Sequence, residues 1–279
     1  MFEVSEIKRA AQLIQSADRL IFTAGAGMGV DSGLPDFRGP GGFWGAFPAL
    51  AKLDKNFQAM ATPTMFKTDL SLAWGFYGLR LNSYRATMPH EGFDILRRWA
   101  RMKNDDYFVF TSNVDGQFQK SGFDERHIYE CHGSIHHLQC IRACTGDIWS
   151  ADEFIPVVDE QNCHLINTPP HCPYCGVLAR PNILMFDDSF WSPWRSEFQS
   201  IRMRDWQEIP SEKTVIIEMG AGKTIPTVRN FSERLTRKNQ AHLIRINTTE
   251  AKVGREQDVG LEGGALEVLQ ALERLLNSK

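Results

Sequence analysis

No stretch of this chain approaches the ~18 consecutive apolar residues of a membrane span. Its opening, MFEVSEIKRA, carries acids and lacks the apolar segment of a secretory leader. It also has little net charge, −3 at neutral pH with a pI near 6.3, which removes any bulk attraction to nucleic acid or to an anionic bilayer. Internal repeats and low-complexity tracts are missing as well. These absences exclude membrane spanning and charge-driven nucleic-acid binding, and they make a soluble, cytoplasmic protein the expectation. What is present suffices for a core: 279 residues, 42% hydrophobic and 23% charged, can form one large domain or two modest ones. In a chain without a leader, the six cysteines point to metal binding ahead of disulfides.

From Val4 to Ala17 the positions of Ile7, Ala10, Ala11, Leu13 and Ile14 predict a helix, and Arg19 to Thr23 a short buried strand. Further buried strands are expected at Tyr107 to Thr111, Ile183 to Phe186, Thr214 to Met219 and His242 to Asn247. Helices are expected at roughly 90–102, 225–238 and 264–278, the last with a stripe of Leu266, Val268, Leu269, Leu272 and Leu276. Alternating strands and helices predict an α/β fold, with a Rossmann-like parallel sheet covered on both faces. Two segments break the rhythm: 42–88 is helical and aromatic, and 136–179 is short-stranded and cysteine-rich. Both read as insertions that pack together as a smaller domain, one a helical module and the other a zinc-binding module. The NAD-binding domain then comprises 1–41, 89–135 and 180–279.

After the first strand come Gly25, Gly27, Gly29 and Gly33. A dehydrogenase-type G-x-G-x-x-G would place its third glycine at position 30, which is Val30, and the acid expected about 20 residues on is missing. What survives is physical: glycines after a strand let backbone N–H groups approach a pyrophosphate. Asp36, Phe37 and Arg38, directly after them, can hydrogen-bond a ribose, stack on a ring and meet a phosphate. A tight turn without a ligand is the plainer alternative.

The run Gly25-Ala26-Gly27-Met28-Gly29-Val30-Asp31-Ser32-Gly33-Leu34-Pro35-Asp36-Phe37-Arg38 resembles the signature of the sirtuin family, Gly-Ala-Gly-x-Ser-x-x-x-Gly-Ile-Pro-Asp-Phe-Arg, with Gly29 at the serine position. The resemblance implies that the loop holds NAD and that Pro35 to Arg38 form a flap over the nicotinamide end. Thr111-Ser112-Asn113-Val114-Asp115-Gly116 looks like the family's Thr-Gln-Asn-Ile-Asp-Gly, which implies that Ser112, Asn113, Val114 and Asp115 bound the nicotinamide pocket. An Asn-Val-Asp-Gly sequence is equally an ordinary turn. Glu130-Cys131-His132-Gly133-Ser134 resembles Glu-x-His-Gly-Ser and implies His132 as the catalytic base, a task suited to a group titrating near neutrality, with Asn113 beside it. Cys131 would face the other way and pack.

Gly220, Ala221 and Gly222 stand where the family has Gly-Thr-Ser, Asn247 where an asparagine meets the adenosine ribose, and Val259 where the adenine edge is bounded. Arg180 to Asp188 resembles the segment to which a substrate peptide adds as a strand, with Phe186 lining the lysine tunnel. Tyr77-x-x-Arg80 resembles the pair found in sirtuins that remove succinyl and other acidic acyl groups.

Cys140-x3-Cys144 and Cys172-x2-Cys175 form two pairs suited to a closed, structural zinc site with four thiolates. The first is one residue longer than the family's C-x2-C. Cys163, His164 and His171 compete for a ligand position, and four buried, reduced cysteines are the alternative.

Together these features resemble a bacterial-type sirtuin across most of the chain. They imply an NAD-dependent protein-lysine deacylase, a deacetylase or desuccinylase, acting on an acyl-lysine protein or peptide and releasing nicotinamide and O-acyl-ADP-ribose. An NAD glycohydrolase or a protein ADP-ribosyltransferase on the same fold is the first alternative, and a module that binds NAD without turnover is the second.

Overall fold

The structure, a computed structural model, describes residues 3–36, 39–239 and 241–278; Phe37 and Arg38 lie outside the described residues. The chain opens with α1 (Val4–Ser16) and β1 (Arg19–Ala24), then turns through short 3-10 segments at Ala26–Met28 and Val30–Ser32. Next come α2 (Gly39–Ala46), α3 (Pro48–Lys52), α4 (Phe57–Met60), α5 (Met65–Thr68), α6 (Leu70–Ala86) and α7 (Glu91–Met102). β2 (Tyr107–Thr111), α8 (Gln117–Lys120), β3 (Ile128–Glu130), β4 (Gly133–Cys140), β5 (Ile148–Ser150), β6 (Val158–Asp159), β7 (His164–Leu165) and β8 (Ala179–Ile183) follow. The last part is α9 (Trp194–Glu208), β9 (Thr214–Met219), α10 (Thr227–Asn239), β10 (His242–Asn247), β11 (Val259–Glu262) and α11 (Ala265–Asn277).

Six strands form one parallel sheet in the order β11-β10-β9-β1-β2-β3. The chain builds outward from β1 to β3, returns, and builds outward again from β9 to β11. The order therefore reverses between β1 and β9, the arrangement of a doubly wound dinucleotide fold with its crevice at the reversal. Strand alternation separates the two faces. Leu20, Phe22, Val109, Val215 and Ile217 pack against α1, α7 and α11. Ile21, Phe108, Phe110, Ile216 and Leu243 face Met203 of α9 and Val228, Phe231 and Leu235 of α10. Each fully buried Leu, Ile or Phe here contributes about 1.5–3 kcal/mol, so the sheet is fixed by side chains on both faces.

A second core joins the helical stretch to the antiparallel β5-β4-β8 sheet. Phe43, Phe47, Trp74, Phe76 and Tyr77 share it with Ile135, Leu138, Ala179 and Ile183. In α6, Gly75 admits the backbone of the incoming loop: a Cβ there would lie 1.8 Å from the Cys163 carbonyl oxygen.

The strand expected at Ile183 to Phe186 is corrected. β8 ends at Ile183 and pairs with β4 outside the parallel sheet. Beyond it, backbone N–H groups go three separate ways: Leu184 to the His132 carbonyl (3.0 Å), Met185 to the Asp188 carboxylate (3.2 Å) and Phe186 to the Ala61 carbonyl (2.9 Å). No ladder can continue on such divergent partners. α9 had no counterpart in the sequence reading.

Candidate functional site

At the C-terminal ends of β1, β2 and β9 lies a cleft of about 1080 Å³. It is roofed by residues of the second core. Two glycine turns meet at its floor: Gly27 N–H donates to the Gly220 carbonyl at 3.1 Å, and a Cβ on Gly27 would come within 2.7 Å of the Gly220 Cα. Gly220 itself has φ 61°. Side chains at either position would push the turns apart and fill the space that a diphosphate needs.

β2 delivers the next residues. Thr111 donates its hydroxyl to the Ala24 carbonyl at 2.9 Å and accepts from the Asn113 N–H at 3.0 Å; the Asn113 amide then donates to the Gly25 carbonyl at 3.0 Å. Asn113 is thereby tied to the glycine loop. Asp115 accepts from the Gln117 N–H at 2.9 Å, yet burial pushes its carboxyl up to about 6, aided by Glu130 and opposed by Arg80. His132 leaves β3 into the cleft. Burial lowers its pKa, partly offset by a backbone hydrogen bond to Ser112, so the ring is neutral and proton-accepting at neutral pH. Two residues before it, Glu130 is gripped by α9: Ser196 donates to its carbonyl (2.9 Å), Gln199 accepts from its N–H (3.0 Å), and Arg195 pairs with its carboxylate (2.6 Å).

Gly25, Ala26, Asp36, Ser112, Asn113, Val114, Asp115, His132, Ala221, Gly222, Phe186, Tyr77 and Arg80 all line this cleft. Gly27, Val30, Gly220 and Asn247 line a smaller cavity of about 120 Å³, which shares Asp36 with the cleft. Phe37 and Arg38 are outside the described residues. Val259 lines neither cavity; it is buried in β11, and Gly263, Gly264 and Ala265 border the smaller cavity where it was expected. The Asn247 side chain shapes its own loop, donating to the Ala221 carbonyl (2.9 Å) and accepting from the Thr249 (3.1 Å) and Glu250 (3.0 Å) N–H groups. Tyr84 and Glu250 also line the cleft and went unread in the sequence. Tyr84 had a signal, since it falls four residues after Arg80 on one helix; Glu250 had none.

The Sγ atoms of Cys140, Cys144, Cys172 and Cys175 lie within 4.8 Å of one another. Cys140–Cys175 and Cys144–Cys172 are 3.7 and 3.6 Å apart, close to the ~3.8 Å edge of a tetrahedron with zinc–sulfur bonds of about 2.3 Å. The donor set therefore fits zinc. The extra residue of the first pair is absorbed by Ala143 in a left-handed conformation (φ 49°). His171 and Cys163 are not in the cluster among the described residues; Cys163 is buried in the second core. Burial pushes the half-buried Cys131 thiol up to about 12, as suits a packing residue.

Burial also lowers the pKa of His90, His136 and His137, the last to about 3 with help from Arg195. Unfolded, these imidazoles and that of His132 take a proton near pH 6.5; folded, they resist it. The stability they confer is thus complete above about pH 6.5 and lost as pH falls below it, while Asp115, with a raised pKa, works in the opposite sense and is outnumbered. Urea midpoints are expected to fall between pH 7 and pH 5, and His137→Gln to flatten that fall. Equal slopes in the two proteins would contradict the assignment.

The sequence model of the Sir2 family matches residues 25–208. The chain is 28% identical over 264 residues to an NAD-dependent protein deacylase 2 of Pyrobaculum aerophilum, covering 94% of this chain and 92% of that protein. It is 26% identical over 267 residues to an NAD-dependent protein deacylase of Thermococcus sibiricus, covering 95% and 94%. A solved complex of a Sir2 homologue with NAD superposes with a TM-score of 0.72 at 21% identity, over 96% of this chain and 93% of that one.

Proposed function

This chain belongs to the Sir2 family, and from that premise we propose that it is an NAD-dependent protein-lysine deacylase releasing nicotinamide and O-acyl-ADP-ribose. The observation that carries this reading is the convergence of both glycine turns, Asn113, Asp115 and His132 on one cleft of about 1080 Å³. That volume exceeds the usual range for a single small ligand and leaves space for a second.

When bound, NAD supplies the nicotinamide leaving group and the ribose hydroxyl that receives the acyl group. Gly25, Ala26, Gly27, Gly220, Ala221 and Gly222 approach its diphosphate through backbone. Val30 and Asn247, with Gly263 and Gly264, bound the adenosine end. Ser112, Asn113, Val114 and Asp115 enclose the nicotinamide under the flap of Asp36, Phe37 and Arg38. His132 accepts the proton of a ribose hydroxyl, the role for which its neutral, partly buried imidazole is suited. Phe186 lines the path of the substrate lysine. Residues 1–41, 89–135 and 180–279 act as the NAD-binding domain, with 42–88 and 136–179 as the small domain.

The acyl group is an acidic one such as succinyl. Supporting this, the Tyr77 hydroxyl is buried in the cleft wall without a hydrogen-bond partner among the described residues, and Arg80 lines the same wall. The partner is an acyl-lysine protein or peptide. The compartment is the cytoplasm, a reading supported by six unpaired cysteines; no described helix is long and apolar enough to cross a membrane.

The test is nicotinamide release from NAD with succinyl-lysine peptide, with acetyl-lysine peptide and without peptide. Peptide-dependent release, faster with succinyl, is expected. Release independent of peptide would instead indicate an NAD glycohydrolase or an ADP-ribosyltransferase.

A further inference from the structure

α6 carries Tyr77, Arg80 and Tyr84 at i, i+3 and i+7, so all three fall on one helical face, and all three are buried in the cleft wall. The Tyr84 hydroxyl accepts from Arg80 Nε at 3.2 Å and from Nη2 at 3.1 Å. A guanidinium offers carboxylates two parallel-donor edges, Nε with Nη2 and Nη1 with Nη2. Tyr84 occupies the first. An incoming carboxylate then meets the second. The rings of Phe57, Phe76, Tyr77 and Tyr84 lie 5.2–5.8 Å from the Arg80 Cζ and hold the cation further in place. An arginine left to itself loses much rotameric freedom when it binds; one already fixed does not.

We propose that Tyr84 is a positioning residue that sets acyl specificity, holding the Arg80 guanidinium so that its Nη1/Nη2 edge receives the carboxylate of an acidic acyl-lysine. The proposal rests on the acidic-acyl reading above. It adds a residue outside the Tyr-x-x-Arg pair, and it distinguishes a held arginine from one that is merely present. Tyr84→Phe is a narrow probe, because it keeps the ring beside Arg80 and removes only the oxygen.

The experiment measures kcat/KM of Tyr84→Phe for succinyl-lysine and acetyl-lysine peptides of the same sequence, with Arg80→Met in parallel. The succinyl-to-acetyl ratio is expected to drop about tenfold in Tyr84→Phe, as for loss of one hydrogen bond to a charged group, with the drop carried by the KM for the succinyl peptide. An equal loss for both peptides, as a purely structural role would give, overturns the proposal. If Arg80→Met removes the succinyl preference and Tyr84→Phe leaves the ratio at its wild-type value, the proposal fails while the acidic-acyl reading stands. A wild-type ratio in Arg80→Met overturns both.

Discussion

Replacing His132 by alanine is expected to reduce turnover of the acyl-lysine peptide by about 10²–10⁴-fold, the contribution of one well-placed general base. The loss should appear in kcat, because His132 borders the cleft without carrying the glycine turns that bind the diphosphate. NAD binding by the variant, followed by calorimetry, should persist. The pH profile gives an independent check. Since burial lowers the His132 pKa, the acid limb of the wild-type profile should lie below the ordinary imidazole value of about 6.5. Asp115, raised to about 6 in the same cleft, can add to that limb, so the assignment to His132 rests on the limb's change in a His132 variant that retains residual turnover. Unchanged turnover in His132→Ala would leave the ring without a catalytic role and favour a module that binds NAD without chemistry.

The second large effect concerns the metal. Structural zinc in small domains contributes about 10–16 kcal/mol at neutral pH, as much as the whole stability of an ordinary domain. Cys172→Ser, or stripping by a strong chelator, is therefore expected to abolish cooperative folding of the cysteine-bearing module. The damage should spread, since Leu138 and Ala179 of its sheet share a core with Phe76 and Tyr77 of the cleft wall. Cys163→Ser is the control: that thiol is buried in the same core but lies outside the cluster, so the variant should keep its zinc and lose only about 1–3 kcal/mol. Equal zinc content in Cys172→Ser and wild type would show that the four sulfurs do not hold the metal.

Most of the parallel sheet was legible because each of its longer strands is a short apolar run bounded by polar loops. β1, β2, β9 and β10 were therefore readable, and the glycine turns after β1 and β9 marked the crevice. α9 was not readable, for a specific reason. Its buried positions include Ser196 and Gln199, spent on the backbone of Glu130, while Trp194, Phe198 and Ile201 are exposed. The helix inverts the apolar stripe by which a surface helix is recognised. β3 is three residues long, too short for periodicity to register.

The site shows the same division. Residues within motifs were legible, and twelve of them besides His132 line the main cleft. Val259 was misplaced by a few residues because β11 carries it into the core before the chain reaches Gly263. Asn247 was read as facing ribose, whereas its amide is engaged with the backbone at 221, 249 and 250. The pairing of Arg80 with Tyr84 depends on rotamers, which spacing does not fix. The C-x3-C pair, read from spacing as a departure, closes as well as its partner once Ala143 adopts a left-handed turn.

The central claim is that acyl transfer from lysine to the ribose of NAD occurs in this cleft. Mass spectrometry of the products from NAD and a succinyl-lysine peptide tests it directly. The account predicts free lysine peptide, nicotinamide and O-succinyl-ADP-ribose in equal amounts; ADP-ribose and nicotinamide beside an unaltered peptide would contradict it.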